Sequence, residues 1–113
     1  MKKILFLAVT LLFTVTAWSQ QQTPAGDVAK GKATFLRVGC YECHGTAGQG
    51  GTGPHIAPTP RTLESLIAFV RKPMGMPAYS DKVLSNADLA DIRAYLASIP
   101  APPAVASIPL LNQ

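Results

Sequence analysis

The sequence predicts a small all-α domain with three main helices and long glycine–proline loops, and three observations carry that prediction. Apolar residues recur at steps of three and four in three separate stretches. No stretch alternates with the period of two that a half-buried strand requires, and no internal repeat is present. Glycine and proline gather between the helical stretches, where they punctuate the chain.

Lys2 and Lys3 precede an apolar run from Ile4 to Val15, and Ala17 and Ser19 supply the small residues that a signal peptidase reads. That layout predicts a secretory signal peptide over residues 1–19, cleaved after Ser19. The run is shorter than the roughly 20 apolar residues that span a bilayer. Membrane attachment is therefore expected only if the segment is retained as an anchor. Residues 20–25 are polar and contain proline, and read as a flexible start.

The first helix begins near Gly26, with Val28, Gly31, Phe35 and Val38 along one stripe and Asp27 at the dipole-favoured start. Gly31 is costly in an isolated helix, but a glycine on the buried face suits a place where another helix crosses closely. Gly39 ends this segment. Thr46 to Pro60, with Gly48, Gly50, Gly51, Gly53, Pro54, Pro58 and Pro60, reads as loop. Thr62 caps a short helix with Leu63, Leu66, Ile67 and Val70 on one face, and Pro73 stops it. Ser85 caps the last helix, and Asp88 stands where a capping box needs its acid. Leu89, Ile92, Leu96 and Ile99 form that helix's stripe with Tyr95 beside it, and Pro100 ends it. The domain proper thus spans residues 26–99. The proline-rich tail, residues 100–113, is expected to be extended or disordered, with Ile108, Leu110 and Leu111 able to dock on the domain or on a partner.

Without the signal peptide 94 residues remain, and the ten basic residues of the whole chain fall to eight against six acidic ones. No clustered basic face is visible, which excludes a nucleic-acid binder. A domain this small usually needs a staple beyond its own hydrophobic core. Cys40 and Cys43 are the two cysteines, and a bridge between them would close too tight a loop to constrain the unfolded chain. A long glycine–proline loop in so small a domain also wants a reason. It has one if the loop wraps a large rigid ligand that supplies the missing core.

Cys40-Tyr41-Glu42-Cys43-His44 reads Cys-x-x-Cys-His, the attachment signal for a c-type haem. Two thiols about one helical turn apart can each add to one vinyl group of a single haem, and the histidine that follows is held under the iron. Two other readings use the same residues. A thioredoxin-like redox pair belongs beside a βαβ pattern, which is absent here. A zinc site would draw on Cys40, Cys43, His44 and His55, but adjacent Cys43 and His44 are awkward ligands for one ion.

With these residues the sequence resembles the class I c-type cytochromes over about Gly26 to Ile99. Met76-Pro77-Ala78-Tyr79 is similar to the family's distal segment, in which the methionine supplies the sixth iron ligand. Gly53-Pro54 is similar to the pair whose proline carbonyl accepts a hydrogen bond from the proximal histidine. Gly31 and Phe35, with Tyr95, resemble the family's crossing of first and last helices. The resemblance implies a small cytochrome c fold around one covalently attached haem c. Cys40 and Cys43 would anchor the haem, His44 and Met76 would ligate the iron, and Pro54 would orient His44. A thioether opposite histidine raises the reduction potential and closes the iron to substrates. Met74, two residues earlier, is the alternative ligand, and His55 is the one other histidine able to compete. Lys72, Lys82 and Arg71 flank the methionine segment and suit a ring of charge facing an acidic partner.

The sequence thus predicts an extracytoplasmic, periplasmic or equivalent, monohaem electron-transfer protein. It would carry single electrons between redox partners (a dehydrogenase, an oxidase or another cytochrome) and would not be an enzyme. The alternative is a haem-based gas sensor or catalyst with a labile or absent sixth ligand.

Overall fold

The computed structural model describes residues 25–112. The segment 1–19 read as a signal peptide lies outside the described residues, as do residues 20–24 and Gln113. The fold is all-α: α1 (Val28–Arg37), α2 (Cys40–His44), α3 (Leu63–Arg71) and α4 (Asn86–Ser98), with no strand among the described residues. No helix of the described residues is long and apolar enough to cross a membrane.

Local chemistry starts each long helix as the sequence predicts. The Asp27 carboxylate accepts from Lys30 N–H at 2.9 Å and Thr62 Oγ1 accepts from Ser65 N–H at 3.2 Å, each meeting a donor left over at a helix start. At α4 the capping box is complete. Ser85 Oγ accepts from Asp88 N–H at 3.1 Å, while Asp88 Oδ2 accepts from Ser85 N–H at 3.0 Å and from its hydroxyl at 2.7 Å. These bonds favour the ionised carboxyl and hold Asp88 below its ordinary range.

The frame is the crossing of α1 over α4. A Cβ on Gly31 would run into the Asp91 carbonyl, and one on Gly26 into the Ala90 carbonyl, so both glycines permit backbone-to-backbone approach. The Asp27 N–H donates to Asp91 Oδ1 at 2.7 Å and ties the start of α1 to the same stretch of α4. Beyond the crossing, Phe35 meets Tyr95 edge to face at 5.7 Å between centroids and 60° between planes. The core is completed by Ala57, Leu66, Val70, Leu84, Leu89, Ile92 and Leu96.

Four details depart from the sequence reading. The described residues add a short fourth helix to the three main ones, because Gly39 at φ +82° ends α1 and lets a new single turn, α2, begin at once. Val28, assigned to the buried stripe, is 45% exposed, since Gly26 and Gly31 make the contact with α4 instead. Leu84 is a core residue although it precedes α4 in an irregular stretch. The tail is neither wholly extended nor disordered. It forms two 3-10 turns, Val105–Ser107 and Pro109–Leu111, gathered by Asn112 Nδ2, which donates to the carbonyls of Val105, Ala106 and Ile108 at 3.0–3.1 Å. Neither turn packs on a helix of the described residues.

Tyr95 also holds the glycine-rich loop, its hydroxyl donating to the Thr46 carbonyl at 2.6 Å. Tyr95→Phe keeps the ring packing and removes this bond. The expected loss is about 1 kcal/mol in denaturant unfolding, with faster amide exchange in residues 46–50; unchanged exchange there would mean the loop is anchored elsewhere.

Candidate haem-binding site

Residues 40–44 form one helical turn, so the Cys40 and Cys43 thiols stand a turn apart and His44 follows at its end. Neither cysteine is in a disulfide. Cys40 is half-buried, and burial pushes its thiol up to about 11, whereas Cys43 is exposed. The loop after α2 folds back to cap it. Gly45 N–H donates to Tyr41 O at 2.8 Å, Gly50 N–H to His44 O at 2.8 Å and Gly53 N–H to Cys43 O at 2.9 Å, which satisfies the carbonyls a helix end leaves open.

That return brings Pro54 against His44. The His44 Nδ1 lies 2.8 Å from the Pro54 carbonyl oxygen. A carbonyl only accepts, so Nδ1 carries the proton and Nε2 keeps its lone pair for another partner. Gly53 makes the approach possible, since a Cβ there would stand 3.0 Å from His44 Cε1 and 3.2 Å from the Cys43 carbonyl.

These residues border a cavity of about 1110 Å³, walled by Phe35, Leu66, Val70, Leu89, Ile92 and Leu96, with Cys40, Cys43, His44, Pro54, Met74, Met76 and His55 along its lining. The volume lies just above the roughly 300–1,000 Å³ of small-molecule and cofactor sites. The donor set fits haem c: two thiols a turn apart, an imidazole fixed with one nitrogen available, a thioether, and apolar walls. Among the described residues no group of three or more His, Cys, Asp or Glu could hold a metal ion, which disfavours the zinc reading of Cys40, Cys43, His44 and His55.

The three side chains read as possible sixth ligands differ in exposure. Met76 is half-buried against the core, while Met74 is 88% exposed and His55 is exposed. Of the three cations read as a charged ring, Lys72 and Lys82 are exposed. Arg71 is not part of that ring. Its guanidinium turns inward to Tyr79, Asp81 and Asn86. Tyr79, which the sequence places only as the aromatic end of the methionine segment, has a hydroxyl that donates to the Val38 carbonyl at 2.9 Å across 41 residues of chain. Burial raises its phenol above the ordinary range. Arg61, also on the cavity lining, lies over the Phe69 ring at 4.7 Å. No spacing rule announces either contact.

The profile of the protein family described as cytochrome c oxidase, cbb3-type, subunit III matches residues 26–96. A cytochrome bc1 complex cytochrome c subunit of Corynebacterium diphtheriae is 36% identical over 78 residues, which cover 64% of this chain and 27% of that protein. The chain thus corresponds to about a quarter of the length of that relative. No solved structure matches. The chain belongs to this cytochrome domain family, within the class I c-type cytochromes. Its role is accordingly haem c electron transfer.

Proposed function

We propose that this protein is an extracytoplasmic monohaem carrier of single electrons, with no substrate of its own to transform. Cys40 and Cys43 would hold one haem c covalently, and His44 and Met76 would ligate its iron. The observation that carries this reading is the 2.8 Å bond from His44 Nδ1–H to the Pro54 carbonyl, which leaves Nε2 as the ring nitrogen free to act as a ligand, on a residue that lines the same cavity as both cysteines. The bound haem supplies a one-electron iron couple. The protein's part is to keep that couple's surroundings fixed: Pro54 holds the imidazole in one tautomer and strengthens it as a donor, and the apolar wall excludes water.

The apolar run at residues 4–15 behind Lys2 and Lys3 supports export, with residues 1–19 removed. Residues 26–99 then form the cytochrome domain. The names of the matched family and relative, an oxidase subunit and a bc1 complex subunit, favour a respiratory complex as redox partner. Brief docking steered by modest charge suits such exchange, with Lys72 and Lys82 as candidate contacts.

The test is an optical comparison of the haem-matured wild type with Met76→Ala and Met74→Ala. Wild type is expected to retain haem through acid–acetone extraction and to show the weak far-red methionine–iron band when oxidised. Met76→Ala loses that band and lets carbon monoxide bind the ferrous form, while Met74→Ala does neither. Loss of the band in Met74→Ala alone transfers the ligand role to Met74. Extractable haem would remove the covalent attachment from the proposal.

A further inference from the structure

The stretch between α3 and α4 carries Met76 and is tied down at its ends. Lys72 N–H donates to Ala68 O at 3.2 Å and Tyr79 N–H to Val70 O at 3.1 Å, and residues 73–78 between them make no backbone–backbone hydrogen bond among the described residues. Gly75 sits at φ +80° with open space where a Cβ would be, and Met74 is exposed. Met76 packs on the core, but a stretch without backbone hydrogen bonds of its own opens easily. How long the thioether stays in place then depends on how firmly the two ends of the segment are held.

Arg71 holds them together. Nη1 donates to the Tyr79 carbonyl at 3.0 Å, and Nη2 donates to Asn86 Oδ1 at 2.7 Å and Asp81 Oδ1 at 3.1 Å. One guanidinium joins the last turn of α3, the exit of the methionine segment and the first residue of α4. Tyr79, three residues after Met76, is thereby held at its N–H by Val70, at its carbonyl by Arg71 and at its hydroxyl by Val38. The Arg71 side chain is 21% exposed and that of Asp81 73% exposed, so the ion pair with Asp81 is the weak part of the cluster. The bonds to Tyr79 and Asn86 do the holding. A lysine, with one point charge and no planar fork, does not reproduce them.

We infer that Arg71 is a positioning residue for Met76, closing the base of the methionine segment so that the thioether stays on the iron. The inference rests on the reading of Met76 as sixth ligand. An external ligand reaches the iron only while Met76 is away, so its apparent affinity follows the open fraction. Removing charge-assisted bonds at the base raises that fraction about tenfold or more.

The experiment is an imidazole titration of the ferric, haem-loaded full chain, with thermal melts of the far-red band and of the helical circular dichroism. It compares wild type with Met76→Ala, Arg71→Met, Arg71→Lys and Lys32→Ala, the last removing an exposed charge on α1 away from the methionine segment. Arg71→Met is expected to bind imidazole at least about tenfold more tightly than wild type, and to lose the far-red band at a temperature where its helices persist. Arg71→Lys falls between the two, and Lys32→Ala follows wild type. Arg71→Met titrating like wild type overturns the inference. If Arg71→Met does not mature, an Arg71→Lys protein indistinguishable from wild type overturns it equally. A wild type that binds imidazole as tightly as Met76→Ala removes the methionine ligation itself, and the inference falls with it. Resistance in both wild type and Arg71→Met removes only the role of Arg71.

Discussion

Phe35→Ala is expected to lower the stability of the haem-loaded protein by about 3–5 kcal/mol, the range for truncating a buried aromatic side chain. Phe35 is 1% exposed, packs edge to face on Tyr95 and forms part of the cavity wall. Its loss therefore combines three effects: apolar surface returned to water, a void next to the ligand cavity, and an aromatic pair that itself contributes about 0.5–1.5 kcal/mol. A domain of this size holds only about 4–13 kcal/mol in all, so a large share of it rests on one ring. In guanidinium unfolding the midpoint should fall with little change in slope, and the melting temperature should drop by more than about 12 °C. A loss below about 1 kcal/mol would mean that the α1–α4 crossing does not depend on this contact.

What could be read from the sequence, and what could not, divides by the range of the interaction. Thr62, Ser85 and Asp88 announce helix starts because a cap acts within three residues of itself. The thiol pair and His44 are legible for the same reason, being consecutive positions of one turn. Gly31 is a partial case. Its cost in an isolated helix signals a close neighbour, but only the fold identifies that neighbour as Asp91. Arg71 shows the opposite limit. As a basic residue beside the methionine segment it reads as surface charge, and nothing local reveals that Tyr79, Asp81 and Asn86, eight to fifteen residues away, draw it inward. Leu84 was missed because its burial comes from elements distant in sequence, and α2 because a single φ of +82° at Gly39 separates it from α1. Met74 and Met76 are two residues apart and both line the cavity, so spacing alone does not rank them.

Gly31→Val sets two physical effects against each other, and their magnitudes decide the sign. Within an isolated helix the exchange is favourable by a few tenths of a kcal/mol, because glycine is the poorest helix former after proline. At the crossing the new Cβ meets the Asp91 carbonyl, carbon and oxygen alike, with the Ile92 N–H beside them. These are backbone atoms of a helix and cannot turn aside as a side-chain end would. The helices must separate, and that loosens Phe35 from Tyr95 and strains the Asp27–Asp91 bond. Overpacking of this kind costs about 3 kcal/mol, the upper part of its usual range, and exceeds the propensity gain several-fold. Ala33→Gly, at an exposed position of the same helix, provides the comparison: it changes propensity alone and should cost about 1 kcal/mol. Both exchanges are measured by denaturant unfolding of the haem-loaded protein. If Gly31→Val proves neutral or stabilising while Ala33→Gly destabilises, propensity governs both sites and the backbones of α1 and α4 do not meet at Gly31.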